Sequence, residues 1–92
     1  MKLYAVLFTR NDFSGVTQIV ATKPTLDDAI ARATEEVEKI IKGNDDEYTI
    51  EEGIDNGNIE YAEGDELFED SLLKSWYFPN TTMEVLVQEI DV

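Results

Sequence analysis

The chain has 92 residues, 42% of them apolar and 10% aromatic, with 21 Asp and Glu against 7 Lys and Arg for a formal net charge of −14. That length fits a single domain (1–92) with a thin core, and the charge opposes direct binding to nucleic acid or an anionic membrane, since both present phosphate. Cys and His are absent, which excludes disulfides, thiolate nucleophiles, thiolate or imidazole metal ligands and the usual proton carrier of neutral pH.

Residues 2–9 (KLYAVLFT) alternate with apolar residues on both faces, Leu3, Ala5 and Leu7 on one and Tyr4, Val6 and Phe8 on the other. That pattern predicts a strand placed centrally in its sheet. The stretch 10–15 (RNDFSG) is turn chemistry, and 16–22 (VTQIVAT) is rich in β-formers. The two strands are therefore expected to form a hairpin with a long loop.

Thr25 is a candidate N-cap, with Asp28 three residues on as in a capping box and Asp27 beside the positive end of the helix dipole. Leu26, Ala29, Ile30, Ala33, Val37, Ile40 and Ile41 then form one apolar stripe, with Arg32, Glu35, Glu36 and Glu38 on the solvated side. Lys39 and Lys42 fall in the last turn and Gly43 is the expected stop. A helix over 25–42, packed on a sheet, follows.

Residues 44–65 read as a hairpin with Asn56-Gly57 as its two-residue loop, since both loop positions need φ > 0. Ile54 would then pair with Ile59, Glu52 with Tyr61 and Ile50 with Glu63, leaving Glu51, Asp55 and Glu60 on an acidic face. The segment 66–78 (ELFEDSLLKSWYF) fits either a short helix near 66–75 or a strand ending in Trp76-Tyr77-Phe78, and Pro79 stops both. Trp76 is expected in the core, with Tyr77 or Phe78 partly exposed. Val85 and Val87 against Glu84 and Gln88 predict a final strand over 83–92. The fold class is thus α+β: an antiparallel sheet of four or five strands (mixed as the alternative) with one main helix on one face, in the order β-β-α-β-β-(short α)-β.

The segment KLYAVLF…GVTQIVATKPTLDDAIARA, with Val20-Ala21 ending the second strand and Thr25 to Ile30 opening the helix, resembles small phage and mobile-element proteins. DpnD/PcfM-like proteins and small type I anti-CRISPR inhibitors share this look over residues 2–41. The resemblance transfers no catalytic residue. What it implies is an accessory protein of a phage or mobile element, an inhibitor of a host defence complex.

The remaining signal is the acidic tract. Twelve carboxylates and no cation lie between Lys42 and Lys74: Asp45, Asp46, Glu47, Glu51, Glu52, Asp55, Glu60, Glu63, Asp65, Glu66, Glu69 and Asp70. Same-face carboxylates on a strand recur about every 6.6–6.8 Å, and duplex DNA carries one charge per ~1.7 Å of axis. An edge lined with carboxylates can therefore imitate phosphates and occupy a nucleic-acid groove on another protein. These residues, with Glu52 left out and Tyr77 added as an aromatic anchor, are the candidate partner-binding surface, for a basic, nucleic-acid-binding host protein. The competing readings are a solvated face that serves solubility and a site for weak divalent cations. An EF-hand fails on spacing: Gly57 at position six puts Ile54 at position three, which cannot ligate.

There is no phosphate loop and no Ser with a His base, and a thin core rarely shields one carboxyl of a pair for acid–base work. The expectation is a protein that is not an enzyme, with no cofactor, metal or catalytic residues. A self-associating assembly module, with a homodimer as its form, is the alternative function. Met1–Phe8 runs into Arg10, Asn11 and Asp12 without the features of a signal peptide, and no apolar run reaches the ~20 residues of a membrane span. A cytoplasmic protein is expected.

Overall fold

The computed structural model describes residues 2–10, 16–64 and 71–91. Five strands lie in it: β1 (Lys2–Arg10), β2 (Val16–Lys23), β3 (Glu60–Glu63), β4 (Leu72–Phe78) and β5 (Met83–Asp91). They form one antiparallel sheet in the order β2-β1-β5-β4-β3. The helices are α1 (Leu26–Gly43) and α2 (Ile50–Asn56). The α+β class, the antiparallel sheet and the main helix are as the sequence predicts, and β1 does lie inside the sheet, between β2 and β5.

Alternation along the strands decides what α1 covers. Val6 stands opposite Ala21 on one side and Val87 on the other, while Val85 stands between Phe8 and Trp76. These residues share one core cluster with Ala29, Ala33, Val37 and Ile41 of α1, all buried at intervals of four. Small side chains at 29 and 33 let the helix lie close over the sheet. Trp76 is 4% exposed and Phe78 2%, so Trp76 is core as expected and Tyr77, on the other face of β4, is half-buried. Leu3, Ala5 and Leu7 point away from α1, and Ala5 and Leu7 are buried there.

Thr25 caps α1 as predicted, its hydroxyl accepting from the Asp28 amide at 3.2 Å. The stop lies two residues later than the expected Gly43. Gly43 is still helical, Asn44 is the C-cap, and Asp45 takes the left-handed conformation with φ 60. The Asp46 amide donates to Ile41 (3.1 Å) and that of Asp45 to Lys42 (3.0 Å). That pair of bonds is a Schellman motif with an aspartate where glycine is usual.

The predicted hairpin over 44–65 is corrected. Residues 50–56 are helical, and Ile54, Glu52 and Ile50 pair with nothing across a turn. The cause is a capping box: the Thr49 hydroxyl accepts from the Glu52 amide and the Glu52 carboxylate accepts from the Thr49 amide, each at 3.2 Å. Gly57 does take positive φ (85), but as the helix C-cap instead of a hairpin corner. Ile50 and Ile54 sit one helical turn apart and both pack on the core.

The segment 66–78, which the sequence leaves open between a short helix and a strand, is a strand over Leu72–Phe78, paired with β3 and β5. Its earlier residues fall outside the described ones. No described helix is long and apolar enough to cross a membrane.

Left-handed backbone costs a non-glycine residue energy, and a carboxylate at a helix C-terminus faces the negative end of the dipole. Replacing Asp45 by Gly relieves both. Asp45→Gly is expected to stabilise the fold by roughly 0.5–1 kcal/mol, read from urea denaturation.

Candidate functional site

The acidic tract is built from three local structures. Asp45, Asp46 and Glu47 lie in the connection that reverses the chain after α1, and all three are exposed. Glu51 and Asp55 are exposed on α2, four residues apart and therefore on the same helical face. Glu60 and Glu63 lie on β3, the edge of the sheet. The acidic hairpin face expected from the sequence is thus replaced by a loop, a helix face and a short edge strand. Glu52 belongs to the capping box. Asp65, Glu66, Glu69 and Asp70 lie outside the described residues.

Two of the predicted residues have other surroundings. Glu63 stands opposite Lys74 across the β3–β4 ladder, and its carboxylate accepts from the Lys74 ammonium at 2.7 Å and from the Tyr61 hydroxyl. Lys74 also bonds the Tyr61 hydroxyl and lies 5.2 Å above that ring, and Tyr61 is tilted against Trp76 at 5.5 Å. Hydrogen bonds from Lys74 first, and then from Tyr61, hold the Glu63 carboxyl below its usual range. Glu63 is therefore a neutralised charge that braces the sheet edge. Tyr77 stands between Glu60 of β3 and Glu84 of β5 on the face away from α1, apart from the residues at 45–55.

A feature that sequence reasoning missed lies between the helices. A groove of about 780 Å³ opens where α1 ends and α2 begins. Ile41, Tyr48 and Ile50 supply its apolar surface, and Glu38, Asp46, Glu47 and Glu51 stand around it with Lys42 as the one cation. Tyr48 owes its position to Gly53. A methyl group there would come within 2.7 Å of both the Tyr48 ring and the Ile59 side chain, so only glycine lets α2 approach this closely. Burial first, and the nearby Asp46 carboxylate second, push the Tyr48 phenol above its usual value. The sequence signal for the groove was the Thr49–Glu52 capping box, which starts α2 immediately after the reversal.

Among the described residues, the ion pairs engage Lys2 with Glu89, Arg32 with Glu35 and Glu36, Lys39 with Glu36, and Lys74 with Glu63. Asp45, Asp46, Glu47, Glu51, Asp55 and Glu60 have no such partner there. No three described carboxylates converge closely enough to hold a metal ion. The tract is therefore dispersed and outward-facing, an arrangement suited to meeting a charged surface. Searches against family models, curated proteins and solved structures return no match.

The lowered Glu63 value fixes a sign. A carboxyl whose folded value is depressed contributes stability above its unfolded value, and that contribution is lost as pH falls through the folded value. Wild type should therefore melt above Glu63→Gln at pH 7. The difference should close as the pH falls below the ordinary value of 4.5. Melting curves across pH 2–7 check it.

Proposed function

We propose that this chain is a non-enzymatic binding protein whose acidic end docks on a basic, nucleic-acid-binding surface of another protein. In this reading it is an accessory inhibitor from a phage or mobile element, acting on a host defence complex. The observation that carries the proposal is a segment of exposed carboxylates without counter-charges. Asp45, Asp46, Glu47, Glu51, Asp55 and Glu60 are exposed and have no ion-pair partner among the described residues. Such a surface is steered toward a basic groove.

Stability does not explain this placement. Asp45 and Asp46 sit at the negative end of α1, and Asp45 adopts a conformation that disfavours it. Charges kept where they cost stability are better explained by a partner than by solubility, which carboxylates elsewhere on the surface would serve equally well.

The test immobilises the protein and passes bacterial lysate over it. Proteins retained at low salt should be released by salt and by excess duplex DNA, and Glu51, Asp55 and Glu60 reversed to Lys should abolish their retention. Retention that ignores salt, DNA and reversal alike refutes the reading.

A second reading rests on a different observation. The outer strand β2 has no charge from Val16 to Thr22, and Ile19 is 63% exposed on it. Natural edge strands usually carry charges or prolines that block pairing. β2 of a second copy would add to this edge and extend the sheet, making the chain a self-associating module. Sedimentation in high salt should then show a dimer that Ile19→Lys dissociates, whereas a strict monomer at high concentration removes this reading.

A further inference from the structure

The groove between α1 and α2 gives the acidic end a feature that charge alone does not require. Ile41 at its base is 3% exposed, while Tyr48 and Ile50 are half-buried and stop short of closing it. Its 780 Å³ falls in the range of pockets that take a side chain or small ligand. The geometry explains why it stays open: the Schellman turn at 44–46 sends the chain away from α1, and the capping box at 49–52 starts α2 before it can return.

Around this apolar floor stand four carboxylates, Glu38, Asp46, Glu47 and Glu51, against one ammonium, Lys42. None of the four has an ion-pair partner among the described residues. Apolar centre and anionic rim match one kind of occupant by charge and by polarity. We infer that the groove receives a bulky apolar side chain of a partner protein, flanked in its own sequence by Lys or Arg. This rests on the reading of the acidic end as a partner surface and adds to it an anchor. The carboxylates would govern encounter and salt dependence, and the groove would hold the complex together.

The probes are two synthetic peptides of equal charge and length, with three Lys on either side of a central Leu in one and of Gly in the other. Calorimetry on the intact protein should show the Leu peptide binding at least tenfold tighter. Thr34 lines the groove from α1, and Thr34→Phe should obstruct its apolar floor, bringing the Leu peptide down toward the affinity of the Gly peptide. Glu47→Gln with Glu51→Gln should weaken both peptides alike. Should Thr34→Phe not fold, the methyl resonances of Ile41 and Ile50 in wild type must shift with the Leu peptide and stay still with the Gly peptide.

Equal affinities of the two peptides overturn the anchor while leaving the acidic surface standing. Binding of neither peptide, or binding that ignores both salt and the two Gln substitutions, overturns the anchor and the acidic surface together. A Leu advantage that persists in a folded Thr34→Phe variant overturns the groove as its location.

Discussion

The contact between α1 and one face of the sheet organises everything else in this molecule. Strands alone do not hold a small sheet together in water; they need a layer that removes an apolar face from solvent. Here that layer is a single helix, with Ala29, Ala33, Val37 and Ile41 set against Val6, Val85, Val87 and Trp76. Each fully buried Val of that set is worth about 1.5–3 kcal/mol, a large part of the margin for a domain this small. Because α1 crosses the sheet along this seam, its C-terminus emerges near Phe78 and Asn80, where the β4–β5 turn, Asn44 and Tyr48 line a smaller cleft. The position of the acidic end follows from where that helix stops.

What happens after α1 illustrates how local chemistry and packing combine. The chain leaves the helix through a Schellman turn, reverses, and re-enters helix at a capping box within five residues. Gly53 then lets α2 press on Tyr48 and Ile59, so a seven-residue helix that would not persist alone is held by tertiary contact. Glu51 and Asp55 are thereby mounted on a braced support. Side chains held in this way lose less entropy on binding than those on a loose loop. That links the packing under α2 to the proposed role of its surface.

Charge is compensated on some elements and not on others. At β3 the carboxylate of Glu63 is matched by Lys74, with Tyr61 bridging them. On α1, Arg32 and Lys39 both reach Glu36. The reversal and α2 lack such compensation among the described residues. A count along the chain overstates the contribution of β3 and misses Glu38, which lies on α1 but faces the groove with Asp46, Glu47 and Glu51.

Residues whose neighbours are near in sequence were legible without a structure. The α1 stripe, the Thr25 cap, the doubly apolar central strand and the burial of Trp76 follow from periodicity and local hydrogen bonding. Failure came where two local signals competed. Asn56-Gly57 suits a hairpin corner, yet Thr49–Glu52 caps a helix, and a glycine with positive φ serves either ending. Ile50 and Ile54 lie four apart with Glu52 between them, which is helical spacing, but a strand tolerates it too. The capping box prevails because the close approach of Gly53 to Tyr48 and Ile59 holds the helix it starts. Likewise the pairing of Glu63 with Lys74, and the groove beside Tyr48, depend on residues brought together by the fold. The sequence by itself determined an acidic α+β domain with one governing helix, because those properties are set by composition and period. Tertiary structure alone decided which carboxylates are compensated and which surround an apolar cleft, because charge compensation and concavity are relations between distant segments.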